Sequence, residues 1–256
     1  MYNGSMQRNL RTVFMFLLIL FVGLGATHWY QREVSGFKYG GNSTIERVSK
    51  QLYYSAVATL PHIKPATKDL AVRFHRQEHA LSCEIAALKM ALNFKQKNVS
   101  ETELWVYMPY DVYEPRSANN VWGDPDKGFV GSINGTMPNS GYGIYEGPIA
   151  DLAHKYGEAK AINGGTLAEL IAEIDAGNPV IVWSGYGRDI SWNTPEGKFV
   201  RAYKGTHVRV LTGYVGSAEN PESLIMMDPI YGKVWWSQGK FMSQWEALGR
   251  RAVVVY

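Results

Sequence analysis

A single cysteine in 256 residues rules out an internal disulfide, so this chain is held by a core and not by a covalent framework. Charge is also sparse, at 19% Asp, Glu, Lys and Arg with a net +3. The first 26 residues carry two arginines and no acid, which leaves 24 basic against 23 acidic side chains in the remainder. Near-neutrality provides no basic stripe, and nucleic acid is excluded as a partner on electrostatic grounds. No G-x-S-x-G elbow surrounds Ser184 or Ser191, which argues against a serine hydrolase. Asp124, Asp126 and Gly128 echo a calcium loop but lack its third ligand and distal glutamate, so neither a metal nor another cofactor is expected. No internal repeat or low-complexity tract points to a solenoid or a fibrous chain.

What is present is apolar: 46% hydrophobic residues, with eight Trp and sixteen Tyr, enough for one sizeable core plus extensions. Arg8 and Arg11 precede an uninterrupted run from Thr12 to Ala26, followed by the aromatic pair Trp29 and Tyr30. Residues 1–30 therefore read as an uncleaved signal anchor, or as a signal peptide cut after Gly25 or Ala26. Positive charge ahead of the span puts everything after it outside the cytoplasm in either case. The expectation is an extracytoplasmic protein, tethered to the membrane or secreted. Residues 31–68 read as a tether, with a short amphipathic helix at Ser43 to Ala56, and residues 69–256 as the domain that carries the chemistry.

Outside the cytoplasm a lone cysteine is either inert and buried or a reactive thiol. From Glu84 to Phe94, Ile85, Leu88 and Leu92 recur at helical spacing, as do Ala86, Met90 and Phe94, and Ser82 is a suitable N-cap. Cys83 then opens a helix, where unpaired N–H groups and the positive end of the dipole are expected to lower its pKa. A cysteine nucleophile needs a base, a group that orients the base, and donors for the oxyanion. Gln77, six residues before the thiol, can bring an amide beside the Cys83 N–H. His207 and Asp228 stand on β-branched-rich runs that read as neighbouring strands. His75, His79 and Cys83 are also spaced by four, as zinc ligands on one helix face would be. The alternating Leu70 to Phe74 and the Ser82 cap argue that the helix begins too late for that.

The order Gln77, five residues, Cys83 on a helix, then His207 on a strand leading to Gly213-Tyr214, then Asp228-Pro229 before a Gly turn, resembles the C39-like cysteine peptidases of the papain-like superfamily. The resemblance runs from about Leu70 to Tyr256. It implies Cys83 as nucleophile, His207 as general base and acid, Asp228 as orienter of the imidazole and Gln77 as oxyanion donor. The family's best-known members are fused to ABC transporters and cut leader peptides after Gly-Gly, and a 256-residue sequence has no room for a transporter. Glu84-Ile85 also stands where many relatives carry Gly-Pro.

Around these positions the pattern predicts an α+β, papain-like fold with helices first and a mainly antiparallel sheet later. Capping boxes are expected at Ser100/Glu103 and Thr166/Glu169. Strands are expected at Leu70 to Phe74, Lys160 to Ile162, Pro179 to Ser184, Lys198 to Lys204, His207 to Val215, Ser223 to Asp228, Lys233 to Trp236 and Arg250 to Val255. The run from Tyr110 to Tyr145 has no period and reads as a substrate-binding cleft wall. Trp122 and Tyr142 within it, and Trp183 beyond it, are the candidate substrate contacts. The expected activity is hydrolysis of peptide bonds in a peptide or protein substrate. Thiol acyl transfer by the same residues, and a non-catalytic module that binds peptides or wall polymers, are the alternatives.

Overall fold

The structure, a computed structural model, describes residues 67–256. The N-terminal apolar run and the Ser43 to Ala56 helix lie outside the described residues. No described helix is long and apolar enough to cross a membrane.

The domain is α+β, as expected. After a two-residue strand β1 (Lys68–Asp69) come α1 (Cys83–Phe94) and α2 (Glu101–Tyr107). A small sheet follows, made of β2 (Tyr110–Val112), β3 (Phe129–Gly131) and β4 (Gly141–Gly143). Then come α3 (Glu146–Ala153), β5 (Ala159–Ile162), α4 (Leu167–Asp175), β6 (Val180–Ser184), and a hairpin of β7 (Asp189–Asn193) with β8 (Phe199–Tyr203). The chain ends with β9 (His207–Gly216), β10 (Pro221–Asp228), β11 (Gly232–Ser237), α5 (Gln238–Ala247) and β12 (Ala252–Val255). The main sheet has seven strands in the order β11-β10-β9-β6-β12-β5, with β1 added to β9 beyond the end of β6, and every pairing in it is antiparallel.

Helix α1 packs across β9 and is apolar almost all round: Ile85, Ala86, Ala87, Leu88, Met90, Ala91 and Leu92 are buried. That is the pattern of a core helix, and its alanines allow close approach to the sheet. It stops at a Schellman turn. Gln96 takes a positive φ of 63°, its N–H donates to Asn93, and the Lys97 N–H donates back to Leu92. The Thr166/Glu169 capping box opens α4 in both directions, while at α2 Ser100 accepts from the Glu103 N–H.

Three expectations need correction. Leu70 to Phe74 makes one ladder-like bond, from the Leu70 N–H to Thr212, and no strand; the ladder is two residues earlier, and Phe74 is exposed. The run 110–145 holds the β2-β3-β4 sheet, whose three-residue strands are too short to display a period of two. Strand β7 was not foreseen, although Ile190 and Trp192 point inward between outward Asp189 and Asn193. Trp192 then anchors the hairpin to the small sheet, meeting Trp122 and Tyr142 edge-on and donating its indole N–H to Gly123.

The contact of β1 with β9 depends on Gly213, because a Cβ there would collide with the Lys68 carbonyl. Gly213→Ala is expected to cost about 1–3 kcal/mol through displacement of β1, read as a lower midpoint in chemical denaturation with the slope unchanged.

Candidate active site

Sheet register brings four polar side chains to one end of the main sheet. Ser184 ends β6 opposite His207, the first residue of β9. Asp228 ends β10, and β10 pairs with β9 and turns back through Pro229 into β11. Helix α1 packs on β9, and the Val208 N–H near the start of β9 meets Cys83 at the helix N-terminus, which sets the thiol at this same end. All four are buried, Cys83 retaining 8% exposure and His207 3%.

His207 Nε2 lies 3.1 Å from both carboxylate oxygens of Asp228. Arg209 Nε donates to Asp228 Oδ2 at 2.7 Å, and the Ile230 and Tyr231 N–H groups donate to Oδ1 at 2.7 and 3.1 Å. Arg209 also donates to Ser184 Oγ, whose hydroxyl donates in turn to the His207 carbonyl. The result is a closed ring from carboxylate to guanidinium to hydroxyl to the backbone of the histidine. Burial alone would raise Asp228, yet His207, Arg209 and the Ile230 N–H hold it well below the usual carboxylate range. Burial pushes the His207 imidazole down; Asp228 opposes this and the Arg209 charge adds to it. His207 is thus a neutral base whose Nε2–H is claimed by Asp228, leaving Nδ1 for another partner.

The Cys83 sulfur lies against the Val208 N–H, one residue from His207, and its proton is directed to Glu84 Oε2 at 3.3 Å. Burial, then the Glu84 charge, push the thiol well above its ordinary value, against the lowering effect of the Val208 N–H. This corrects the expectation of a thiol lowered by the helix N-terminus. A dipole worth about 0.3–1 kcal/mol loses to removal from water beside a carboxyl group. Ser82 holds the N-cap position without capping: its hydroxyl accepts from the His79 N–H and donates to the His79 carbonyl.

The sequence from Asp69 to Val253 matches the Peptidase_C39 like family. The chain belongs to that family. A crystal structure of a provisionally assigned C39-like peptidase from Bacillus anthracis is similar at 28% identity and a TM-score of 0.64, over 75% of this chain and 98% of that one. The peptidase domain of Streptococcus ComA, a bifunctional ABC transporter of a quorum-sensing pathway, is 16% identical over 72% of this chain and 98% of its own length, with a TM-score of 0.43. A double glycine motif protease from an AMS/PCAT transporter, crystallised with its leader peptide, is 18% identical over 75% and 96%, with a TM-score of 0.39. No curated protein matches.

Within this C39-like domain the other expected site residues have definite places. Gln77 is tied to the Asp228 turn by its N–H, which donates to the Pro229 carbonyl. Its side-chain amide donates to the His79 and Ala80 carbonyls at 2.8 and 3.0 Å, and its Oε1 is buried without a partner. The three aromatic candidates are not on a surface. Trp122, Tyr142 and Trp183 are at most 2% exposed. Their polar atoms are spent inside the protein: Trp122 donates to the Glu114 carbonyl, Trp183 to the Ile144 carbonyl, and Tyr142 shares bonds with Tyr145 and Thr206. They build the wall behind the site and do not touch a substrate from where they stand.

His79 meets the Trp105 ring at a tilt and pairs through Nδ1 with Asn134 Oδ1, and among the described residues it joins no ligand cluster with His75 and Cys83, so the zinc face drawn from spacing does not form. His75, Glu78 and Glu101 do converge, but Lys89 Nζ sits 3.0 Å from His75 Nδ1, so the cluster is already an ion-pair network. Likewise Lys198 occupies the position between Asp124 and Asp126 that a cation would take. Arg209, Ser184 and the role of Glu84 escaped the sequence reading. For Arg209 a signal existed: a lone cation two residues after His207, on one face of an otherwise apolar strand.

Replacing the carboxylate leaves the buried Arg209 without its partner. Asp228→Asn is expected to lower stability by about 3–5 kcal/mol at neutral pH. Because the folded carboxyl titrates below its unfolded value of about 3.9, its contribution is complete above that value and is lost as pH falls through the folded one. The gap in melting temperature between wild type and Asp228→Asn should therefore stay constant from pH 7 to about pH 5 and narrow as pH is lowered below about 4, as followed by circular dichroism.

Proposed function

We propose that this member of the Peptidase_C39 like family is a cysteine peptidase with Cys83 as nucleophile, His207 as base and acid, and Asp228 as the group that orients His207. One observation carries the reading: the buried His207–Asp228 pair at 3.1 Å, with the sole thiol of the chain held one residue away against the Val208 N–H. His207 Nδ1 takes the Cys83 proton, and the thiolate attacks the scissile carbonyl. Asp228 holds Nε2–H throughout and stabilises the imidazolium. The negative charge on the carbonyl oxygen is met by the Cys83 N–H, which as the first helical residue has no intrahelical acceptor. Gln77 joins it by exchanging its bonds to His79 and Ala80 for one to the oxyanion. His207 then returns the proton to the leaving amine, the C–N bond breaks, and water cleaves the thioester.

The substrate is a peptide or protein entering as an extended segment. The N-terminal apolar run would hold the peptidase at the outer face of the membrane, or export it if cleaved. Among the alternatives, a binding module draws no support from Trp122, Tyr142 and Trp183, which are core, and would have to use exposed loop residues such as Tyr113. Acyl transfer uses the same residues and differs only in the second nucleophile.

Cys83→Ala and His207→Ala should each lower peptide hydrolysis by at least about 10³-fold, measured by mass spectrometry on a degenerate peptide library with the full chain. An unchanged rate in Cys83→Ala would sink the reading. Amide products with an added amine, in place of carboxylates, would make the enzyme a transferase.

A further inference from the structure

The buried carboxyl group of Glu84 has no part in the mechanism above, although it touches the reacting sulfur. Its Oε2 receives the Cys83 S–H at 3.3 Å, and its Oε1 receives the Ile144 N–H at 3.2 Å. The space it occupies is made by Gly143, whose φ is +144° and where a Cβ would collide with Glu84 Oε1. A glycine, a backbone donor and the thiol thus form a cradle for a side chain that is 2% exposed. The groups that act on Glu84 are few. On its own helix there is the Cys83 thiol, and from β4 there is the Tyr142 phenol, itself bonded to Tyr145 and Thr206. From β9 the Val208 N–H and from β10 the Asp228 charge act on the sulfur; α2, α3 and β6, which also pack on or near α1, direct no charged group at the carboxyl among the described residues.

Resting on the reading of Cys83 as nucleophile, we propose that Glu84 is a third proton-holding group of the catalytic centre, which permits the thiolate when protonated and locks the sulfur as a thiol when ionised. With two protons over Cys83, Glu84 and His207, the pair of neutral thiol and neutral imidazole beside a carboxylic acid converts to thiolate and imidazolium by moving one proton from Sγ to Nδ1. The carboxyl group keeps its own proton and turns it toward the sulfur. With one proton fewer, Glu84 is a carboxylate in contact with Sγ, and forming the thiolate would set two anions side by side in a site closed to water. Burial holds Glu84 protonated up to about 7, so the change falls in the neutral range.

This has a signature that two groups cannot give. Removing a proton from a thiol–imidazole pair can only add thiolate, so reactivity that falls as pH rises requires a third titrating group. The test is the iodoacetamide alkylation rate of the single thiol in the full chain between pH 5 and 10, for wild type, Glu84→Gln and His207→Ala. Glutamine keeps the shape, accepts from Ile144, and presents an N–H to sulfur as the protonated acid does. The expected wild-type rate falls between pH 6 and 8 with a midpoint near 7 and rises again only at alkaline pH. Glu84→Gln should show no fall and react at pH 8 at least about tenfold faster, the equivalent of one pKa unit. Its melting temperature should exceed that of wild type at pH 8 and match it at pH 5, because a raised carboxyl stabilises the fold below its unfolded value and loses that contribution as pH rises through the folded one. A wild-type rate that rises monotonically overturns the proposal even if Glu84→Gln does not fold. If His207→Ala loses reactivity at pH 6 while Glu84→Gln tracks wild type, the catalytic pair stands and the role of Glu84 falls. If His207→Ala tracks wild type, it is the peptidase reading that falls.

Discussion

The Asp228 carboxylate is the constraint on which this end of the molecule depends. It is fully buried, and a buried charge is tolerated only when paired and saturated with hydrogen bonds. Asp228 has a guanidinium, an imidazole and two backbone N–H groups, drawn from β9 and from its own turn. Arg209 must then be buried too, and it is satisfied by Ser184 and by the face of Trp236 at 4.3 Å, whose ring also carries Lys240 at 4.5 Å. Satisfying one charge in this way recruits residues from β6, β9, β10 and β11. Since β6, β9 and the end of β10 are buried on both faces and show no alternation there, this charge cluster is what distinguishes one register from another at the sheet end.

Burial decides the protonation of His207, and Arg209 adds to it. A carboxylate facing a lone imidazole favours imidazolium, which cannot accept a proton from sulfur. Burial outweighs that pull and the guanidinium beside Asp228 adds to it, so the imidazole gains orientation from the carboxylate without being driven to protonate. The same burial acts on Cys83 in the opposite sense, so both groups are neutral at rest. In the proposed mechanism charge appears only when the proton crosses between them, in a site where water does not compete. A thiolate activated in advance by a helix dipole is not what this site uses.

These differences mark what one sequence discloses. Cys83, His207 and Asp228 were legible because each is chemically conspicuous in its segment: the sole thiol at a helix start, a histidine opening an apolar strand, an acid closing the next one. The main sheet was legible through its β-branched runs, and α4 through its capping box. Trp122, Tyr142 and Trp183 were misread because aromatic composition does not distinguish a cleft wall from the core behind it, and large rings are more often core. Glu84 was noted only as a departure from Gly-Pro. That it shares a cradle with Gly143, 59 residues on, is a tertiary fact to which no spacing refers.

Gln77 shows how the loop before α1 couples to the site. Its amide cannot be reversed without setting oxygen against the His79 and Ala80 carbonyls, so the donor direction is fixed by those two acceptors. The cost is a buried Oε1 without a partner, a penalty of roughly 1–3 kcal/mol. The loop is pinned on both sides, by the Gln77 N–H to Pro229 beside the Asp228 turn and by the Leu81 N–H to Ile133 beside the small sheet. Serving an oxyanion therefore means breaking two good bonds inside a pinned loop, and relief of the orphaned oxygen offsets part of that loss. In the proposed mechanism the second oxyanion donor is engaged only after a carbonyl has entered, so binding energy from the substrate, and not the resting structure, completes the site.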